Sequence, residues 1–383
     1  MIKQGSIDRK RPNGYQYFNM LKSHLNNNLE QIFNGKIIYP RQLEIHLPGN
    51  NKIPCNFNCY HCQGRLLEKS LDNYEPKALK LLDSLEGRIP FVIYGGAYTE
   101  PLLNTHLVEF LELTKKHNSK YGIHTNGSLL EKLEKEENFL STICQLADSS
   151  EDYISISLDA GNAESHCKTK RLKENFFDRI IDGLRTTVSI RGNSSSPSIR
   201  VCYLLNNTNS SKIEIENIIR IMQDIGVDSL RFSIPYDNYG KNISQVIKYK
   251  NTIEKKQDQK FREILESGII DSSNHKPKIF YISPECQDVE KMNFQRCCYS
   301  YYQITLGADG YVYRCSSTAT PSFKMNRLGK IPDNLDEFEN LVRINHNPYF
   351  KPSTCIKSGA RCNRIALEIN LNMEKIFREM KND

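Results

Sequence analysis

Short apolar, β-branched runs alternate along most of the chain with stretches whose apolar positions recur every three to four residues. Leu43 to Leu47, Phe91 to Tyr94, Tyr121 to Thr125, Tyr153 to Leu158, Ile199 to Leu205 and Ser229 to Ile234 read as strands. Between them, Pro76 to Leu85 lines up Leu79, Leu82 and Leu85 on one helical face, and His106 to Lys116 lines up Leu107, Phe110 and Leu111. Phe176 to Leu184 carries Phe177, Ile180, Ile181 and Leu184, and Ile213 to Ile225 carries Ile215, Ile218, Ile219, Met222 and Ile225. Six strand–helix repeats over about 200 residues predict a parallel sheet wound by right-handed crossovers. Periodicity leaves open whether that sheet closes fully or partly into a barrel. Either way, a functional site is expected at the carboxyl ends of the strands. A cysteine-bearing loop, Gly95-Gly96, Thr125-Asn126-Gly127, Asp159 and Asn206-Asn207 all fall there.

The rhythm changes further on. Asn193 to Pro197 reads as a surface loop, and Lys241 to Gly268 as a polar, Lys-rich, solvated helix joining two parts. Beyond about Lys276, Gly307-Ala308-Asp309-Gly310 is a turn between two β-like segments, Tyr302 to Leu306 and Tyr311 to Arg314, and predicts a hairpin. Ile365, Ile369, Met373, Ile376 and Met380 form one stripe of a terminal helix, expected to pack on the core. The organisation expected is an extension over 1–39, an α/β core over 40–270 and a cysteine-rich α+β unit over 271–383.

Composition narrows the class. With 383 residues, 38% of them hydrophobic, and 16 Phe and 20 Tyr, the chain can bury a sizeable core, which excludes wholesale disorder. No apolar run approaches the roughly 20 residues of a membrane span, and the basic start (Lys3, Arg9, Lys10, Arg11) lacks the apolar region of a secretory signal. A cytoplasmic protein is expected. The net charge of +7 permits an anionic substrate but does not call for nucleic acid, because the lysines of 241–259 are interleaved with acids such as Glu254 and Asp258. The 12 cysteines change the picture most. Three sit within eight residues and six lie between Cys286 and Cys362, a distribution that points to metal or cluster ligation rather than disulfides. Cys144, Cys167 and Cys202 are scattered and read as small buried hydrophobes.

Cys55, Cys59 and Cys62 have the spacing C-x3-C-x2-C. Thiolates suit zinc or iron–sulfur clusters, but a structural zinc wants four ligands in a closed site. Three thiolates on a cubane leave one iron open for a small molecule. His61 could complete a zinc site, yet it adjoins Cys62 and would strain so tight a loop.

This trio resembles the signature of the radical S-adenosylmethionine (radical SAM) superfamily. The resemblance implies a partial (β/α)6 barrel in which Cys55, Cys59 and Cys62 hold a [4Fe–4S] cluster that binds SAM. Gly95-Gly96 resembles the family's Gly-Gly-Glu segment, where bare backbone approaches SAM. The third position is Ala97, and Glu100 is the candidate to replace the missing carboxylate. Ser157-Leu-Asp159 resembles the family's Ser-x-Asp facing SAM. Asn126 and Asn206 are further candidates at strand ends, and Lys168 or Arg171 could pair with the SAM carboxylate. His61 takes the usual aromatic position before the last cysteine and could pack on the adenine.

Cys298-x11-Gly310-x4-Cys315, followed by Cys355-x6-Cys362, resembles the SPASM and twitch extensions of that superfamily. It implies one auxiliary [4Fe–4S] cluster on Cys298, Cys315, Cys355 and Cys362, with Cys297 fitting the spacing nearly as well as Cys298. Cys362 precedes the terminal helix, whose dipole favours an anionic cluster. A zinc at these four cysteines is the alternative.

The resemblance implies an enzyme that cleaves SAM reductively, with an electron from a flavodoxin or ferredoxin, and takes hydrogen from a C–H bond. A small polar metabolite is the expected substrate, undergoing dehydrogenation or epimerisation. A ribosomal peptide or a protein is the alternative, less favoured because Ser316 stands where sulfatase maturases use an aspartate as base. Cys286 and Cys297 are candidate hydrogen donors to a substrate radical. A zinc-bound, nucleic-acid-binding module is the alternative of another class.

Overall fold

The computed structural model describes residues 23–49, 54–59, 61–62, 74–96, 99–235, 248, 250–267, 277–282, 296–347, 350, 355, 362 and 364–379. Strands β1 (Gln42–Ile45), β2 (Phe91–Tyr94), β3 (Lys120–Thr125), β4 (Tyr153–Ser157), β5 (Ser198–Leu204), β6 (Ser229–Ser233) and β7 (Lys278–Ile282) lie side by side in chain order, each parallel to the next. On the other side of β1, β8 (Gln303–Leu306) adds a further parallel strand. The strands β9 (Tyr311–Tyr313) and β10 (Arg327–Lys330) continue antiparallel. Among the described residues β7 and β10 end the sheet, so it is a partial barrel, the α/β architecture expected.

Helices cover the outer face. They are α1 (Leu29–Phe33), α2 (Tyr74–Ser84), α3 (Leu107–Lys116), α4 (Leu130–Glu137), α5 (Phe139–Leu146), α6 (Ala163–Lys170), α7 (Phe177–Arg191), α8 (Lys212–Ile225), α9 (Lys255–Glu266), α10 (Leu335–Asn345) and α11 (Arg364–Glu379). Their starts are written in the sequence. The side chains of Asn162, Ser211 and Asn334 accept from Ser165 N, Glu214 N and Glu337 N and so cap α6, α8 and α10. Gly226 ends α8 at φ +82°, a conformation glycine takes without steric cost.

The strands bury one set of alternate residues under these helices: Leu43 and Ile45, Tyr121 and Ile123, Ile154 and Ile156, Ile199 and Val201, Leu230 and Phe232. Each such side chain stabilises the fold by about 1.5–3 kcal/mol. The other set faces the barrel interior and is mostly polar, apart from a patch in which Phe91 and Ile93 pack with Tyr153. A second core joins α1 to α11 through Leu25, Ile32, Ile38, Tyr299, Tyr302, Met373 and Phe377. Ile369 and Met373 of the expected terminal stripe are buried there. Met380 lies outside the described residues.

One expectation needs revision. Lys241 to Gly268 is not a simply solvated helix, since α9 buries Phe261, Ile264 and Leu265, with Phe261 against Phe232 (4.8 Å) and Tyr281 (4.6 Å). The six expected strands are β1 to β6; β7 extends the parallel run from β6, beyond the expected boundary at 270, and β8 joins β1.

Candidate functional site

Beyond β1 the chain enters the cysteine loop, and the end of β3 pins that loop in place. Asn126 Nδ2 donates to Asn56 Oδ1 (2.8 Å) and approaches Cys55 Sγ (3.8 Å), while Asn56 Nδ2 donates to Ser128 Oγ (2.9 Å). Glu100 N–H donates to Pro54 O (2.8 Å), and Cys62 N–H to Cys59 O (3.1 Å). Cys55, Cys59 and Cys62 are all half-buried and free of disulfides. Burial, then the charge of Glu100, pushes the Cys55 thiol up to about 12. A soft metal would deprotonate such a thiol outright.

Glu100 is fully buried, and its carboxylate is committed to protein. It accepts from Leu102 N (3.1 Å), Thr125 Oγ1 (2.5 Å) and Asn126 N (2.7 Å). Burial raises its pKa to about 7 against the pull of those bonds. Glu100 therefore locks the strand ends together. The side chain of Asn206 is likewise tied into its own turn, accepting from Thr208 N (2.8 Å). Ser157 is half-buried at the end of β4.

Asp159 sits just past β4, fully buried at φ +56°. Its Oδ2 receives Lys170 Nζ at 2.5 Å and lies 3.8 Å from His61 Nε2, and its Oδ1 accepts from Leu204 N (2.7 Å). Burial opposes the carboxylate's charge, but Lys170 and His61 hold its pKa below the usual value. Burial also drives His61 down to about 4, so the ring is neutral, and its buried Nδ1 has no partner among the described residues.

The residues expected to supply a cation lie elsewhere. Lys168 is exposed and pairs with Glu164 at 2.5 Å, and Arg171 is exposed just past α6. Lys170, between them, turns inward toward Cys59. The signal was present: Ser165, His166, Thr169 and Lys170 form the buried stripe of α6. It was missed because every member is polar.

Gly95 and Gly96 pack against two inward histidines. A Cβ on Gly96 would stand 2.6 Å from the His46 ring, and one on Gly95, at φ +154°, 2.7 Å from His124 Cβ. Gly96→Ala is expected to cost about 1–3 kcal/mol of stability in chemical denaturation, because the His46 ring has to move. A loss below about 0.5 kcal/mol would show that the ring is not held there. Ala97 lies outside the described residues.

A second site forms beside β8 to β10. Cys297, Cys315, Cys355 and Cys362 line one cavity together with Arg314, Asn326 and Phe350. Cys298 faces the other way, buried in the core around α11, with its N–H donated to Asn370 Oδ1 (2.6 Å). The structure thus brings Cys297 to the other three cysteines and leaves Cys298 out. Burial first, then the neighbouring thiols, raises Cys355 to about 12, and burial raises Cys315 to about 11. Arg314 Nε and Asn326 Nδ2 are buried donors without a partner among the described residues. Also among the described residues, no three Cys, His, Asp or Glu converge tightly enough for a single metal ion. A tetrahedral zinc needs sulfurs about 3.8 Å apart. Cysteines ringing a cavity, with spare N–H donors in its wall, fit a larger anionic cluster better. Cys286 lies outside the described residues.

Residues 54–199 match the model of the radical SAM superfamily. The match supports a radical SAM enzyme, a class that works with a [4Fe–4S] cluster and SAM. In fold the chain is similar to Streptococcus suis SuiB bound to the precursor peptide SuiA, with a TM-score of 0.58 at 13% identity, covering 94% of this chain and 76% of that one. The SAM-bound form of SuiB gives 0.57 at 13% identity, covering 93% and 78%. A GTPase Obg from Brachyspira hyodysenteriae is 29% identical over 187 residues, 46% of this chain. The chain spans about a quarter (26%) of the length of that curated relative. None of the three Gly-Lys pairs here (35–36, 240–241, 329–330) is followed by Ser or Thr, so the sequence holds no Gly-x4-Gly-Lys-Ser/Thr phosphate loop.

Proposed function

We propose that this chain is a radical SAM enzyme acting on a small polar metabolite, with Cys55, Cys59 and Cys62 as ligands of the SAM-binding [4Fe–4S] cluster. The observation that carries this reading is the cysteine loop, pinned by Asn126 and Glu100 over the strand ends and flanked by the buried Asp159–Lys170 pair. Bound there, the cluster supplies the electron that cleaves SAM reductively and so allows hydrogen abstraction from a C–H bond. The chain's own part is to hold the thiolates, orient SAM and keep water out. Lys170 offsets the burial of Cys59. Gly95 and Gly96 leave backbone bare at the mouth, where Ser157 and Asn206 also stand. Neutral His61 offers a flat ring with a free buried nitrogen. Anaerobic reconstitution, followed by iron analysis and assay of 5′-deoxyadenosine, tests the reading. Colourless protein with stoichiometric zinc would favour the zinc-bound, nucleic-acid-binding module instead.

A polar barrel interior supports the small-metabolite reading, with dehydrogenation or epimerisation as the reaction. A peptide substrate is the second reading, favoured by the likeness to SuiB over 94% of this chain. Comparison of metabolites from cells with and without the gene separates the two. The working division is a core over 40–270 and an auxiliary-cluster unit over 271–383, in the cytoplasm, reduced by a flavodoxin or ferredoxin. Among the described residues no helix is long and apolar enough to cross a membrane.

For the second site the reading is one auxiliary [4Fe–4S] cluster on Cys297, Cys315, Cys355 and Cys362, with Arg314 Nε and Asn326 Nδ2 aimed at it as donors. Cys297→Ser is expected to remove about four of about eight irons per chain, whereas Cys298→Ser keeps them. The reverse result would return the ligand role to Cys298. With Cys297 engaged as a ligand, Cys286 is the remaining hydrogen-donor candidate.

A further inference from the structure

The inner faces of β3, β4 and β5 carry a row of polar side chains that the cysteine loop does not use. His124 pairs in register with Ser155, and Ser155 with Arg200, so the three stand side by side across neighbouring strands. One row lower, Tyr153 braces two of them. Its hydroxyl lies 2.7 Å from His124 Nε2, and the Arg200 guanidinium stacks over its ring at 4.0 Å. Gly122 makes room for that ring, since a Cβ there would meet it at 2.4 Å. The Arg200 Nε bonds Ser198 Oγ at 3.3 Å, and among the described residues no carboxylate pairs with Arg200. His124 keeps an exposed ring and Arg200 is half-exposed, although both lie on central strands, so the barrel interior is open to a ligand.

The charges that face this row come from β1 and β6. Arg231 of β6 is a second guanidinium; burial first, then both arginines and His46, against the pull of Glu44, favour the neutral form of His124. Glu44 is the carboxylate, and it is already engaged by His46 Nε2 (2.9 Å), Gln303 Nε2 (2.7 Å) and Ser316. Among the described residues, Glu44 is thus committed to other partners and Arg200 keeps its charge without a carboxylate.

We propose that Arg200, with His124 and Ser155 beside it, is a subsite for a carboxylate group of the substrate. The Tyr153 ring fixes the plane of the guanidinium, and a fixed guanidinium fork matches a carboxylate bidentately. His46 and His124 touch the backbone at Gly96 and Gly95, so a carboxylate held in this row directs the rest of the substrate toward the strand ends and the cysteine loop. The placement rests on the barrel mouth being the active site, as proposed above, but the binding itself needs no SAM cleavage.

Equilibrium dialysis of radiolabelled succinate against the reconstituted holoenzyme tests it. Succinate is expected to bind and to be displaced by unlabelled succinate but not by the neutral diamide, succinamide. Arg200→Met is expected to weaken binding at least tenfold, the loss of one charge-assisted pair. Arg200→Lys, which keeps the charge and loses the fork, is expected in between. If succinamide competes as well as succinate, or Arg200→Met binds like wild type, the subsite is overturned. If inorganic phosphate displaces the label at lower concentration than succinate does, the carboxylate assignment falls to phosphate. Should Arg200→Met fail to fold, the wild-type competition and Arg200→Lys decide. Iron measured on the same samples keeps the two readings apart. Protein that holds its iron but binds succinate and succinamide alike loses only the subsite. Protein without iron that still prefers succinate loses only the cluster assignment.

Discussion

Replacing Cys55, Cys59 and Cys62 together by Ala is expected to lower bound iron from about eight to about four per chain and to abolish 5′-deoxyadenosine formation. The two cysteine sites are built from different parts of the sheet. The first hangs on the loop after β1 and is pinned from β3 by Asn126 and Ser128. The second is walled by Cys297, Cys315, Cys355 and Cys362, with Arg314 and Asn326 at the β9–β10 end. Loss of one donor set leaves the other intact, so the remaining iron should still give the visible absorption of a cluster. Because the three thiols are half-buried rather than core residues, the triple variant should fold. Continued production of 5′-deoxyadenosine by the triple variant would overturn the assignment of these residues. Wild type with about twelve irons would instead demand a third cluster and bring in cysteines outside the four of the second cavity.

The strands were legible because their signal is strong on one face. Leu43 and Ile45, or Ile154 and Ile156, alternate under the helices, and β-branched residues dominate the runs. β7 and β10 were not legible. β7 carries Lys278 and packs only one face well, and β10 contains Gly329, which leaves little apolar signal. Of the helices, α6 escaped because its buried stripe is polar, and α4 because it is dominated by charged residues with only Leu130 buried. α9 was found but misjudged. Lys255 and Lys256 face solvent while Phe261 carries it onto the sheet between Phe232 and Tyr281.

In the candidate site, residues named by chemistry were easier to find than residues named by position. The cysteine trio declares itself through spacing. The choice between Cys297 and Cys298 could not be made from spacing, because the chain turns from extended at Cys297 into a short 3-10 helix at Cys298, and only packing against α11 decides which faces the cavity. The interior row of His124, Ser155 and Arg200 was invisible for a related reason. Each is one polar residue on the interior face of its own strand, and they become a group only when the register of three strands is known.

Lys170→Met is expected to destabilise the fold by about 3–5 kcal/mol and to lower iron retention at the first cysteine site. The Lys170 and Asp159 side chains are 2% and 0% exposed, with 2.5 Å between Nζ and Oδ2. Removing the lysine strands a buried carboxylate, and breaking a buried pair from one side is far more costly than never having formed it. Asp159 cannot easily relax toward solvent, because Leu204 N–H holds its Oδ1 and Asn209 Nδ2 holds its backbone carbonyl at 2.8 Å. The same substitution removes the main charge that offsets burial of the Cys59 thiol, so deprotonation on iron uptake becomes harder. The double variant Asp159→Asn/Lys170→Met should recover part of the stability, since the stranded charge is gone, but none of the help to Cys59. Lys168→Met is the control. Its side chain is 60% exposed and pairs with a Glu164 that is 78% exposed, so its effect should stay within about 0.5 kcal/mol. Chemical denaturation and iron analysis on the four proteins give both readouts. If Lys168→Met costs as much as Lys170→Met, or if the double variant is no more stable than Lys170→Met alone, the buried pair does not hold the strand ends as argued.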